Sequence, residues 1–407
     1  MSGQKIESTW NYLGIVLLFA ALCFPAITIS ISAPSIHVLD LAFPLLVINI
    51  WLNRSKLQRS TYLWTPFLLA GYVLISILIQ GHKSSMSDFF EIYKWLKYGV
   101  LVLFFTLQDF TLLKRFIPWL LGILILINVL HFFNCFDINS ILEKYYNGGL
   151  QIHFFGKDSD GAPAVKRLIG TMGNPNVNAI LFGFFSIVYF PSTFQRKKVL
   201  IYLLCLLFVF LCQSRTALLS LVAMLGYLAI FQTKIWTKKQ WLMILSGMVL
   251  SFLLAWMFAT SFFQYTSYNN SLLNGSALHS GSARGRYETW KLLGKMVIQE
   301  PIFGHGPFKN YFYTRKIYSE NEYILMAWRY GIIGLIAYLS IYFIPLKKIF
   351  RSHESYFVQG TLLLILMTVS ATTNNPLTER NIEFLFAIGI AGILKHSYST
   401  KNAHAEI

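Results

Sequence analysis

Long apolar runs recur along this chain, and their length constrains the fold more than any other feature. A helix needs about 20 largely apolar residues to cross the hydrocarbon core of a bilayer. Runs of roughly that kind occupy 12–31, 36–52, 62–80, 95–108, 116–134, 176–194, 199–212, 216–233, 240–262, 322–344, 357–373 and 381–395. They predict an all-α polytopic membrane protein with about 12 transmembrane helices, forming a single integral membrane domain over 1–407. Two runs are short. The one at 95–108 begins near Phe89 if Glu91 and Lys94 sit at the interface. The one at 199–212 is bounded by Arg196, Lys197 and Lys198 before it and by Ser214 and Arg215 after it. Apolar residues make up 55% of the chain and charged residues 13%, against roughly 25% charged in an ordinary soluble domain, so a water-facing surface is excluded. The first run is too long for a cleavable signal peptide and continues into a second.

The net charge of +17 would suggest nucleic acid in a soluble chain. Here the basic residues mark topology instead, and no nucleic-acid partner is expected. Arg54/Lys56/Arg59, Lys114/Arg115, Arg196/Lys197/Lys198, Lys234/Lys238/Lys239 and Lys347/Lys348/Arg351 fall in alternate short loops. The intervening loops carry only Lys83, Lys94, Arg215 and Arg380. The alternation places both termini in the cytoplasm. Cys23, Cys135, Cys205 and Cys212 show no CxxC and no metal-ligand spacing; Cys23, Cys205 and Cys212, in or beside apolar runs, read as packing residues, and Cys135 is expected to face outward with no obvious partner. No internal repeat is evident.

Two outer segments are long. One is the outer loop at 135–175; the other, at 263–321, lies between spans 9 and 10. The second contains an amphipathic helix near 286–299, where Tyr287, Trp290, Leu293 and Val297 recur at helical spacing. Such a helix suits a membrane surface; the alternative is an ordinary folded loop.

Polar residues in or beside the spans gather on the outer side, and polar groups at membrane depth usually have a purpose. The first group is Lys166, Arg167, Thr171 and Asn174-Pro175-Asn176, ending at Asn178. Asn174 reads either as an N-cap ahead of Pro175 or as part of an anion-binding helix start. In the second, Gln213-Ser214-Arg215-Thr216, the arginine either snorkels to lipid headgroups or binds phosphate. Arg284 and Arg286 open the surface helix, and their forked guanidinium groups suit phosphate oxygens. Ser319-Glu320-Asn321-Glu322 stands at the mouth of the tenth span, with Arg329 about two turns inside it. Thr372, Asn374, Asn375, Glu379, Arg380 and Glu383 close the last outer loop. Together these residues predict a cationic pocket suited to a lipid-linked phosphate or diphosphate. HExxH, P-loop and Rossmann fingerprints are missing from the sequence, which argues against a nucleotide-driven reaction; no cofactor and no metal are expected.

The same residues resemble the O-antigen ligase and O-antigen polymerase superfamily of bacterial membrane glycosyltransferases. The resemblance runs through Arg167, Gly170-Thr171, Asn174-Pro175-Asn176, Ser214-Arg215, Arg286 with Trp290, and Pro301 with Gly304 and Gly306. Its most specific element is a ligase-type pattern of His-Asn, nine residues, then Gly-x-x-Gly. Here that pattern reads Glu320-Asn321, then Gly331-Ile332-Ile333-Gly334.

The resemblance implies a metal-independent, inverting glycosyltransferase in the bacterial cytoplasmic (inner) membrane. It would draw its donor from undecaprenyl-diphosphate-linked oligosaccharide and act at the outer face. Glu320 where the ligases have histidine favours a polymerase that joins lipid-linked repeat units of O-antigen, capsule or exopolysaccharide. The alternatives are a ligase acting on lipid A–core and, from another class, a lipid-linked glycan flippase, although related halves and broken mid-membrane helices are not evident. In the expected mechanism Glu320 takes the acceptor proton and Arg215 and Arg286 hold the diphosphate, aided by Arg167, Arg284, Asn174, Asn176, Asn321 and Arg329. Expected partners are the lipid-linked donor and a lipid-linked glycan acceptor, membrane lipids, and a chain-length regulator or flippase.

Overall fold

The computed structural model describes residues 2–24, 36–57, 60–79, 81–140, 167–191, 195–232, 237–262, 281–350 and 356–405. Among these residues the chain is all α. In chain order the helices are α1 Ser2–Cys23, α2 Val38–Leu52, α3 Thr65–Ile79, α4 Phe89–Leu107, α5 Phe110–Phe133, α6 Pro175–Val188 and α7 Arg196–Leu211. They continue with α8 Arg215–Phe231, α9 Lys238–Phe262, α10 Gly281–Gln299, α11 Lys309–Tyr313, α12 Glu322–Phe350, α13 Tyr356–Ser370 and α14 Arg380–Ala405.

The expected count of about twelve spans is not met. Four segments among the described residues are long and apolar enough to cross a membrane: Thr61–Ile79, Phe110–Phe133, Lys238–Met257 and Glu322–Phe350. Their exposed faces carry Leu68, Trp119, Leu242, Leu250 and Ile336, surface that only lipid would cover; this is a membrane protein. The other apolar runs fall short for identifiable reasons. The helical apolar parts Thr9–Cys23, Val38–Leu52, Pro175–Val188, Arg215–Phe231 and Phe357–Ser370 hold 10–17 residues each. At the helical rise, 17 residues reach only about 26 Å, against a core of about 30 Å. Helix α7 has 16 residues and opens on Arg196, Lys197 and Lys198, while α4 carries Glu91, Lys94 and Lys97. Counting apolar residues overlooks where each helix stops. The part of the first run at 25–31, and 141–166 and 263–280 of the two outer segments, lie outside the described residues.

The chain divides into two compact units. The first comprises Met1–Ala42, Asp109–Asn274 and Ile365–Ser370. Within it α7 packs between α6 and α9, and α5 packs on α1. Phe182 of α6 stacks on Phe208 of α7 with ring centroids 4.7 Å apart. The second comprises Phe43–Gln108, Gly275–Leu364 and Ala371–Ile407. There α4 packs against α3 and α14, and α12 against α3, α10 and α14. A buried ion pair ties α4 to α14: Lys97 Nζ lies 3.6 Å from Glu383 Oε2, with side chains 3% and 2% exposed. The Tyr62 and Tyr98 hydroxyls share a hydrogen bond of 2.6 Å nearby in the same core.

Helix α12 is broken at Gly331, where φ is 61° and ψ is −165°, a conformation open essentially to glycine alone. The break releases backbone groups that a continuous helix would pair internally, and each released carbonyl finds another donor. The N–H of His305 donates to Trp328 O at 2.9 Å, and that of Gly306 to Arg329 O at 2.8 Å. The Tyr72 hydroxyl donates to Tyr330 O at 2.9 Å. In return Ile332 N–H donates to Pro301 O at 2.8 Å. The Pro301–Gly306 turn therefore docks, backbone to backbone, on the break. Only glycine permits that approach: a Cβ on Gly331 would fall 2.1 Å from Ile302 O, and one on Gly304 would fall 2.5 Å from the Arg329 carbonyl carbon. Gly331→Ala is expected to destabilise the protein by roughly 3 kcal/mol or more, from backbone strain and the clash together. Thermal unfolding in detergent checks this, with Gly226→Ala, at an open position on α8, expected to leave the midpoint nearly unchanged.

Candidate functional site

The polar residues singled out in the sequence fall into both units. Arg167, Asn174, Asn176 and Arg215 belong to the first; Arg286, Glu320, Asn321 and Arg329 belong to the second. The Arg284 side chain lies outside the described residues.

In the first unit Asn174 caps α6: its Oδ1 accepts from Asn176 N at 2.8 Å, and Pro175 occupies the first helical position. This is the favoured chemistry of a helix start. The Asn176 side chain accepts from Arg167 Nη2 at 3.2 Å. Arg167, itself buried, spends further donors on the end of α7. Its Nε donates to Cys212 O at 3.0 Å and its Nη2 to Gln213 O at 2.9 Å. A cation on the last carbonyls of a helix is favourable for both hydrogen bonding and the helix dipole. Arg167 thus fixes the turn from which Arg215 starts α8, a turn in which Gln213 adopts φ 51°. Ser214 caps that helix, accepting from Ala217 N at 3.4 Å.

A buried polar network stands behind this start. Asn178 Nδ2 donates to Asn128 Oδ1 at 2.8 Å. His131 Nε2 accepts from Ile169 N at 3.3 Å, which leaves Nδ1 to donate to Asn139 Oδ1 at 2.8 Å.

In the second unit the Ser319–Glu322 segment is gripped by the loop that follows α13. Asn375 Nδ2 donates to Ser319 O at 2.6 Å, and Asn321 Nδ2 donates to Thr372 O at 2.8 Å. Glu322 N donates to Ala371 O at 2.9 Å, and Leu377 N donates to Glu322 Oε2 at 3.2 Å. Asn321 also caps α12, its Oδ1 accepting from Ile324 N at 3.0 Å. These bonds run in both directions, so the backbone carrying Glu320 is fixed on each side of that residue. The Glu320 side chain turns away from the grip and pairs with Arg286 of α10. Both remain accessible, at 47% and 30% exposed.

Arg329 lies deeper, in the last turn before the break. Its Nη1 is 3.5 Å from Glu91 Oε1, and Glu91 Oε2 is 3.3 Å from Lys94 Nζ. Glu91 occupies the first turn of α4, ahead of that helix's apolar stretch. Burial works to raise its pKa, but Lys94, Arg329 and Lys309 outweigh that effect and hold the carboxyl down at about 2. Below this group, Asp88 accepts from Lys309 N at 2.8 Å and from Ser85 N at 2.8 Å, anchoring the loop that carries α11. Arg329 thus has a structural counter-ion in Glu91, the anionic partner that its depth requires. His305 serves the same scaffold: its Nε2 donates to Met296 O at 2.8 Å.

Sequence reasoning passed over Asn375 and Thr372 as the grip on Glu320, and Glu91 as the partner of Arg329. Each lies in or beside an apolar run, which was the available signal, but their partners are distant in sequence. Among the described residues no group of three or more His, Cys, Asp or Glu side chains is placed to hold a metal ion.

Fold and site together define an all-α membrane protein with a partly exposed arginine–carboxylate pair held on a rigid support. Residues 200–339 match the family model described as O-antigen ligase, a segment that includes Arg215, Arg286, Glu320, Asn321, Arg329 and Gly331. The matched segment, about a third of the chain, supports the superfamily that the motifs resemble. No curated protein matches the chain.

The Glu91 pairs make a prediction with a definite sign. A carboxylate whose pKa is depressed by folding contributes stability that is present above its unfolded pKa and lost as pH falls through the folded value. Glu91→Gln leaves Arg329 and Lys94 without their charge partner and is expected to cost about 2–4 kcal/mol near neutral pH. The gap between native and variant unfolding midpoints should close as pH is lowered from about 4.5 toward about 2. A gap independent of pH would assign Glu91 a packing role only.

Proposed function

We propose that the protein is a glycosyltransferase of the cytoplasmic membrane that transfers a glycan from undecaprenyl diphosphate to an acceptor hydroxyl. The observation carrying this reading is the Arg286–Glu320 pair, accessible and rigidly based, within the segment that matches the ligase family. An arginine suits a diphosphate oxygen and a carboxylate suits a hydroxyl proton.

The reaction is a single displacement. The acceptor oxygen forms a bond to the anomeric carbon as the bond from that carbon to the diphosphate oxygen breaks. The electron pair leaves with undecaprenyl diphosphate, stabilised by Arg286, and the hydroxyl proton passes to Glu320. The anomeric configuration inverts. The step draws on the leaving group already present in the donor and uses no metal or nucleotide. Asn321 caps the helix beneath the base and Arg329 supports the site through Glu91. Arg215, in the other unit, is a separate candidate for phosphate contact, and Arg167 holds the turn that presents it.

Lys347 and Lys348 close the last long apolar segment, Glu322–Phe350, and Glu320 stands just before its other end. The rule that such clusters stay inside supports a multi-pass topology with Glu320 at the outer face. The basic loops likewise favour cytoplasmic termini.

The family match favours ligation, with lipid A–core as acceptor. Glu320, standing where the ligase-type pattern has histidine, favours a second reading in which the acceptor is another lipid-linked repeat unit. Deleting the gene and resolving surface glycan on a gel separates them. A ligase is expected to leave long undecaprenyl-linked chains without transfer; loss of long chains with one repeat still on lipid A–core identifies a polymerase. In either case Glu320→Gln is expected to lower glycan transfer about 100-fold or more, with membrane-inserted protein at native levels. Unchanged yield and chain length in that variant would remove Glu320 from the mechanism.

A further inference from the structure

We propose that the donor itself unmasks the base: its diphosphate takes Arg286 from Glu320, and only then is the carboxylate free to accept the acceptor's proton. The inference rests on the transfer reaction above and adds an order to it, donor first and acceptor second.

Three features of the second unit carry it. First, the Glu320 backbone is fixed. Hydrogen bonds from Asn375 to Ser319 O, from the Asn321 amide to Thr372 O and from Glu322 N to Ala371 O hold the chain on either side of it, so losing a side-chain partner does not move the residue out of the site. Secondly, the Glu320 carboxylate sits on the Arg286 guanidinium, with Oε2 on Nε. One of its two oxygens is thus occupied by a cation. Thirdly, the pair is accessible, whereas the other ion pairs among this unit's described residues are far less so: Glu91 with Arg329 is 13% and 7% exposed, Lys94 with Glu91 12% and 13%, and Lys97 with Glu383 3% and 2%.

Exposed carboxylate–arginine pairs are weak. A diphosphate brings more charge and several oxygens and can hold the guanidinium fork at two points. In a competition for Arg286 the diphosphate therefore wins. The displaced carboxylate is then pushed from the arriving negative charge toward the acceptor side, while its backbone stays clamped. After transfer the product diphosphate departs, Glu320 gives its proton to solvent, and the pair re-forms. Arg286 itself stays in place, because α10 leads directly into the Pro301–Gly306 turn that is bonded to the break in α12.

The test uses the full-length protein in nanodiscs at low salt, with inorganic pyrophosphate and undecaprenyl diphosphate as probes and sulfate as the control anion. Pyrophosphate is expected to bind the native protein in preference to sulfate and to lose that binding in Arg286→Gln. Glu320→Gln, which removes the competitor and keeps the shape, is expected to bind pyrophosphate about two- to fivefold more tightly. Infrared difference spectra on adding pyrophosphate are expected to show a shifted carboxylate stretch in the native protein that is missing in Glu320→Gln. Equal or weaker binding in Glu320→Gln, or no carboxylate change, overturns the exchange and leaves the diphosphate reading standing. If neither probe binds the native protein better than sulfate, the diphosphate reading fails and the exchange fails with it.

Discussion

The break in α12 is the constraint from which the second unit is organised. A helix cannot be interrupted inside an apolar environment unless each freed backbone group is paired again. At Gly331 the carbonyls of Trp328, Arg329 and Tyr330 and the Ile332 N–H are paired by one tight turn, Pro301–Gly306, and by the Tyr72 hydroxyl. Two positive-φ glycines, Gly304 and Gly331, face one another across the junction with no room for a Cβ on either. The consequences run in both directions along the chain. Upstream, the turn fixes the end of α10 and so the reach of Arg286. Downstream, α12 resumes at Ile332 as an apolar helix that ends on Lys347 and Lys348. Between them lies the short opening stretch from Glu322 to Tyr330, which carries Arg329 inward and leaves Glu320 just ahead of its cap.

Burial sorts the charges of this unit by role. Arg329, Glu91 and Lys94, and separately Lys97 and Glu383, lie among packed helices where an unpaired charge is costly. Each is matched to an opposite charge, and α4 supplies a partner to both α12 and α14. These pairs fix how the helices meet. Arg286 and Glu320 have no such constraint, since water reaches both. Their pairing adds little to stability, which is what allows it to be exchanged for a ligand.

The helical class, the membrane environment and the likeness to the O-antigen ligase family over residues 200–339 were legible in the sequence because each rests on local information: apolar run length, basic clusters and motif order. Asn174 with Pro175 reads correctly as a helix start for the same reason, since the cap, the proline and the bonded N–H are immediate neighbours. The number of spans was not legible. Hydropathy registers apolar residues whether or not the helix continues through them, and it misses that α6 ends at Val188, before the run does. The support of the site was hidden for a different reason. Ser319 is held by Asn375, Glu322 by Leu377 and Arg329 by Glu91; no pattern in the intervening chain specifies these pairs. The Gly-x-x-Gly element was visible, but its partner turn at Pro301–Gly306 became intelligible only with both backbones in view.

Glutamate in place of histidine at position 320 is therefore more than an exchange of one base for another. A neutral imidazole beside an arginine is not held by it, and is available to a hydroxyl whether or not a donor is present. A carboxylate beside the same arginine is drawn onto it and occupied. On the mechanism proposed above, the substitution converts a standing base into one whose availability depends on what else the arginine can bind. Such a dependence is useful only if the backbone beneath the carboxylate stays still during the exchange. The loop at 371–377 meets that condition, because its hydrogen bonds address the Ser319 and Glu322 main chain, the Asn321 amide and the Glu322 carboxylate, and leave the Glu320 side chain to Arg286. The rigidity of the support and the looseness of the pair are thus parts of one arrangement, and the second would have no chemical value without the first.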